Sequence, residues 1–146
     1  MPIFRPTTLL AHHAPGGFHY DWLIDPPRAP EAADTAEPPP LWTARVDRPW
    51  DAWPAAGVLR AHALPPHRRR YLDWSGELGG GRGRIAVAAR GRLEIARWGI
   101  TRVEAILHTD PLVLKLNLSR SADHAPDWRI AVERLPGSHP RNRAIS

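Results

Sequence analysis

The sequence predicts a mainly β protein: a small antiparallel β-barrel of about eight short strands with long Pro-rich loops. Three observations predict it. Seventeen prolines and eleven glycines fall within 146 residues, a density that interrupts long helices. Apolar residues alternate at period two in one short segment after another, and no stretch holds a 3.6-residue period. Turn residues separate those segments. With 42% hydrophobic and 24% charged residues, the chain has the composition of a folded domain with one core. That domain is expected over residues 1–136, with 137–146 as a loose tail.

The elements follow in order. Residues 7–13, "TTLLAHH", read as a strand ending in two histidines, and "APGG" as a turn. Residues 18–25, "FHYDWLID", read as the second strand. Phe18, Tyr20, Trp22 and Ile24 share one face, and His19, Asp21, Leu23 and Asp25 the other. Residues 26–40 hold six prolines and three acids and read as a surface loop. Strands are expected at 41–46 and 58–64, flanking a turn-rich connection with Trp50 and Trp53. "YLDWSGEL", 71–78, alternates and reads as a strand; "GGGRG", 79–83, is a glycine-rich loop. "RIAVAARGRLEIARW" reads as a hairpin turning at Arg90-Gly91. "VEAILHT", "LVLKLNLS" and "DWRIAVERL" supply the last three strands.

Composition narrows the chemistry. Cysteine is absent, which excludes a disulfide framework, a thiolate zinc site and a cysteine nucleophile. Any metal must rest on the 8 histidines and 15 carboxylates. The formal net charge is +5, and Lys115 is the single lysine among 20 basic residues. Arginine presents a planar fork that matches phosphate oxygens, so the balance points to nucleic acid or another polyanion. A GC-rich coding sequence also enriches arginine. No apolar run reaches the length of a signal peptide or a membrane span, so a cytoplasmic protein without a membrane partner is expected.

Two clusters carry chemistry. Residues two apart on a strand point the same way, about 7 Å apart. His19 and Asp21 therefore converge on one point. If the first two strands pair as a hairpin, His13 or His12 comes close to His19. Two imidazoles and a carboxylate with open positions suit Mn²⁺, Fe²⁺ or Zn²⁺. The second cluster is "HRRRYLDWSG", where His67 lies four residues before Tyr71 with three arginines between. A histidine, a tyrosine and arginines can bind a phosphate and protonate a leaving oxygen. "GGGRG" lacks the Gly-Lys-Ser/Thr ending of a P-loop and opens no helix.

In order and spacing these pieces resemble the 3′-phosphoesterase module of bacterial DNA ligase D, also described as the DNA polymerase–ligase N-terminal domain family. That family has a histidine, then six residues later a His-Tyr-Asp or His-Trp-Asp strand ending in an acid. A Trp-bearing strand follows, then a histidine four residues before a tyrosine, a Gly-rich stretch and a closing Trp-x-Ile/Leu strand. Here the matching residues are His13, "HYDWLID", Trp42, His67 and Tyr71, "GGGRGRIAVAARG" and "DWRIAV", over roughly residues 8–133. The resemblance implies a β-barrel with a polar cavity and removal of 3′-phosphates or 3′-ribonucleotides from DNA or RNA ends. It implies a divalent metal, manganese with zinc as the alternative, on His13, His19 and Asp21, with His12 as alternate first ligand. His67 and Tyr71 become the phosphate-contacting catalytic residues. A monomer acting beside an end-joining ligase or polymerase in trans is the implied setting.

The Gly-rich stretch is shorter than the family's, the basic residue usual before the first histidine is absent, and one further departure bears on phosphate binding. The family places a phosphate-gripping arginine two residues after the metal-binding aspartate, and Leu23 stands there. It is expected to border the metal cavity without offering charge. Arg60, Arg68 or Arg82 must then hold the phosphate, or the domain is a non-catalytic module that binds nucleic-acid ends.

Overall fold

The computed structural model describes residues 2–28 and 37–136. The expected tail at 137–146 and the middle of the Pro-rich loop lie outside the described residues. Nine strands form one antiparallel sheet: β1 (Ile3–Ala14), β2 (Gly17–Ile24), β3 (Leu41–Val46), β4 (Val58–His67), β5 (Gly76–Leu78), β6 (Gly83–Trp98), β7 (Arg102–His108), β8 (Val113–Ser119) and β9 (Asp127–Arg134). Two four-stranded meanders, β1–β4 and β6–β9, join at two seams, β4 with β9 and β1 with β6, and so close a barrel of eight strands. Closure leaves those strands no free edge. β5 lies outside the ring, paired to the start of β6. No helix among the described residues is long and apolar enough to cross a membrane.

The interior is filled by the alternating faces. Trp22 and Ile24 from β2 meet Leu9, Leu93, Leu114, Leu116 and Ile130 there. Trp22 stands edge-on to Trp42 and Trp53, with ring centroids 5.3 and 5.1 Å apart, and Trp42 continues to Trp128 at 6.2 Å. Trp53 arrives on a single helical turn, Trp53–Ala56, whose start Pro54 favours.

A second apolar cluster lies on the outside of β1–β3. Leu10, Leu23, Leu41 and Ile85 are buried beneath Tyr71, Leu72, Trp74, Leu78 and Val87. These covering residues come largely from residues 71–78, where the structure departs from the expected strand. The segment is a 3₁₀ turn at Arg69–Leu72, then the three residues of β5. Its apolar side chains spread over the outer face of the barrel instead of forming one face of a strand.

The expected hairpin at Arg90-Gly91 is also absent. β6 runs unbroken for 16 residues, pairing with β1 along most of its length and with β7 over its second half. Gly91 is there for close approach: a Cβ would stand 2.7 Å from the His108 carbonyl oxygen. The β1–β6 ladder has one irregularity, a register shift opposite Leu9 and Leu10, which leaves Ala88 without a partner on β1. β4 runs three residues past its expected end, and this carries His67 to the rim.

Candidate metal centre

Past the register shift, the β1–β2 hairpin runs on as an arm whose β1 strand stays paired to β6 as far as His13. A two-residue turn, Pro15-Gly16, pairs Ala14 with Gly17, and this sets every later pair. His12 falls directly opposite His19, and Leu10 opposite Asp21. β3 adds Arg45 opposite Asp21. One outward face therefore carries His12, His19, Asp21 and Arg45. It forms a wall of a cleft of about 680 Å³, closed by Pro66, His67, Arg68, Arg70, Tyr71 and Arg82.

Asp21 is the buried centre of the group, with only 2% of its surface exposed. His19 Nε2 lies 3.1 Å from Oδ1, His12 Nδ1 3.3 Å from Oδ2 and His67 Nε2 3.8 Å from Oδ2. The ligand-capable atoms of His12, His19 and Asp21 all lie within 4.8 Å of one another. Yet Asp21 Oδ1 and His12 Nδ1, both buried, have no hydrogen-bond partner among the described residues. The short distances are thus not donor–acceptor alignments. The other nitrogen of His12 explains the mismatch: Nε2 stands 3.1 Å from the Arg82 carbonyl oxygen, which can only accept. In the neutral tautomer that donates from Nε2 to this carbonyl, Nδ1 turns a lone pair toward the carboxylate. Buried lone pairs facing one another need positive charge between them. A carbonyl behind one imidazole nitrogen and a free lone pair on the other is the arrangement of metal-ligating histidines. Two imidazoles and a carboxylate fit a divalent transition metal.

Burial opposes the charge on Asp21, but His67, His19 and His12 outweigh it and hold the carboxyl below its usual range. The Asp21 carboxylate raises His67 above the ordinary histidine value, against burial, and the Pro65 carbonyl adds to the effect. His67 Nδ1 is turned to that carbonyl at 3.1 Å, which leaves Nε2 facing Asp21 and the cleft. Burial lowers His19, partly offset by Asp21. Arg70 Nη2 donates to the Tyr71 hydroxyl at 3.1 Å and stacks on the rings of Tyr71 and Trp74. This contact lowers the Tyr71 hydroxyl below its ordinary value.

Two groups hold the cleft in shape. Gly83 has φ of 95°, and a Cβ there would fall 2.0 Å from the His13 carbonyl oxygen. Only glycine lets β6 approach β1 closely enough for the Arg82 carbonyl to reach His12. At the base, Arg69 donates both terminal nitrogens to Asp25, at 2.8 and 2.7 Å, and Nη1 also to the Pro39 carbonyl. Arg5 binds Asp25 from the other side. The 3₁₀ turn that follows His67 is thereby tied to β1 and β2.

The structure brings together His12, His19, Asp21, His67 and Tyr71, with Arg68 and Arg82 on the rim. It does not bring His13: that residue pairs with Phe18 on the opposite face, and their rings are 4.7 Å apart. Leu23 shares the face of Asp21 but does not border the cleft. The 71–78 segment covers it completely, and it belongs to the second core cluster. Arg60 lies outside this cleft as well, 3.9 Å from Asp127 on an exposed surface. Arg45 and Arg70, which the sequence does not single out, take rim positions instead. Arg70 belongs to the triple arginine before Tyr71, which is its only signal; Arg45 has none without the β2–β3 register. No family model matches the chain, and no curated protein matches it either.

Proposed function

We propose that the chain is a divalent-metal-dependent phosphoesterase acting on 3′ ends of DNA or RNA, with manganese held by His12, His19 and Asp21. The observation that carries this reading is the pair of buried orphan atoms, His12 Nδ1 and Asp21 Oδ1, beneath a rim of arginines. The resemblance to the ligase D phosphoesterase module supports the same assignment, with His12 in place of His13.

Each group has a task. Arg45, Arg68, Arg70 and Arg82 offset the charge of a phosphate in the cleft. Tyr71 accepts from Arg70, so its own proton is free to donate to a phosphoryl oxygen. Held by His12, His19 and Asp21, a divalent ion would supply Lewis acidity toward the phosphoryl oxygens. Water attacks phosphorus as the bond to the 3′ oxygen breaks. His67, whose proton affinity Asp21 raises, gives its Nε2 proton to that oxygen and regains one from the attacking water. The products are a 3′-hydroxyl end and phosphate. A polymerase or ligase acting in trans would consume the former.

The test is single-turnover release of phosphate from a 3′-phosphate oligonucleotide, both single-stranded and annealed as a primer-template, with and without manganese. Turnover that needs manganese and disappears in His19→Ala is expected; equal background in both proteins overturns the reading. The buried Leu23 favours a second reading, a module that binds nucleic-acid ends without cleaving them. Tight binding without turnover would decide for it.

A further inference from the structure

A second cleft, of about 560 Å³, adjoins the metal cleft and shares Ala14, His19 and Arg45 with it. Its remaining walls include Gly16, Gly17, Phe18, Arg60 and His62. Three features suggest its occupant. Phe18 is 48% exposed at the tip of the β1–β2 arm, an uncommon place for a phenylalanine. His13 and Tyr20 brace its ring at 4.7 and 4.9 Å, so the ring is held in place while its surface stays open. The acids of the cleft are already offset: Asp47 binds Arg48 at 3.0 Å, and Asp127 beside the cleft binds His62 at 3.0 Å. The Arg45 side chain makes no hydrogen bond or ion pair among the described residues, and that of Arg60 has only a distant contact, 3.9 Å to Asp127. The Phe18 ring and Arg45 belong to opposite faces of β2, and the cleft joins them around residues 17–19, which β3 leaves unpaired. A fixed open aromatic ring sharing one cleft with unspent arginines is the combination that binds single-stranded nucleic acid: bases stack, and the backbone follows the charge.

We infer that the second cleft carries the single-stranded segment that leads to the 3′ end. Arg45 at the shared wall receives the phosphate next to the end, Phe18 stacks on a base upstream, and Arg60 meets a further backbone phosphate. The inference rests on the phosphoesterase reading for which end of the strand enters the metal cleft. It narrows the substrate to an unpaired 3′ end, because a paired base offers no open face to Phe18.

The test is fluorescence anisotropy with a labelled 3′-phosphate twelve-mer, as single-stranded DNA, single-stranded RNA and blunt DNA duplex, without added metal. The native protein should prefer both single strands to the duplex. Phe18→Ala should weaken single-strand binding roughly five- to hundredfold, the effect of losing one stacked base. Phe18→Trp should restore it, which rules out misfolding as the cause. Arg60→Ala should lower the log–log salt slope by about 0.7, one phosphate contact on a single strand. Equal affinity for duplex and single strand, or native affinity in Phe18→Ala, overturns the path. The turnover assay keeps the two ideas apart. Turnover with Phe18-independent binding removes the path and leaves the phosphoesterase; Phe18-dependent binding without turnover does the reverse.

Discussion

Replacing His12 with alanine is the sharpest perturbation of the metal group. It removes the imidazole whose Nδ1 faces Asp21 Oδ2 at 3.3 Å and whose Nε2 is fixed by the Arg82 carbonyl. Residues that merely orient a metal-bound imidazole cost about ten- to a hundredfold in affinity when lost. Loss of the imidazole itself should therefore cost about a hundredfold or more. Titration calorimetry with manganese chloride reads this directly. Thermal melting gives an independent measure, since ion at a hundred times its dissociation constant stabilises a protein by about 2.7 kcal/mol. For a chain of this size that is roughly 5–10 °C in Tm, and His12→Ala should lose nearly all of the manganese-induced gain. His13→Ala is the control. It gives up only a ring contact with Phe18 on the opposite face and should keep the native manganese affinity. If instead His13→Ala abolishes binding and His12→Ala does not, the argument from hairpin register is wrong.

Other outcomes follow from the same geometry. Gly83→Ala should weaken manganese binding about ten- to a hundredfold in calorimetry, because the new Cβ must push β6 away from the His13 carbonyl and take the Arg82 carbonyl off His12. Leu23→Arg should lower stability by about 3 kcal/mol or more in urea unfolding, without a gain in turnover, because it buries an unpaired charge beneath Leu72 and Trp74. Burial opposes the Asp25 charge, but Arg69 and Arg5 hold its carboxyl below the usual range. The unfolded chain then binds the extra proton, so this contribution is present above about pH 4 and is lost as pH falls through the lowered folded value. Asp25→Asn should be less stable than native at pH 7, and its stability should fall less steeply below about pH 4.

How much of this is legible in the sequence depends on what each feature answers to. The two faces of β2 are readable because period-two alternation is a local property, and Trp22 does face the barrel interior while Asp21 faces out. His12 and His13 cannot be separated by spacing, because their difference is the parity of a turn. Were the turn one residue longer, Phe18 and His19 would each face a different partner. Gly91 misleads because a glycine that admits a neighbouring strand looks the same in sequence as one that turns the chain. Leu23 falls on the expected face but at a different depth: its cover comes from residues 71–78, far along the chain, which no local pattern connects to it. Arg45 escapes sequence reading for the same reason, since a long loop, not a tight turn, decides which residue of β3 stands beside Asp21.

The β1–β6 seam serves two ends of the molecule at once. Residues Ile3–Leu9 of β1 close the barrel against β6, and Leu10–His13 continue on the same partner to carry His12. Between them the ladder is broken only by the bulge at Ala88. Opening the seam at either end must strain the other, so an ion clamped at the arm would slow amide hydrogen exchange along the barrel closure, several residues from any ligand atom. The metal centre would then act as a clasp on the cylinder, and its occupancy would be readable in the protection of backbone amides between Ile3 and Leu9.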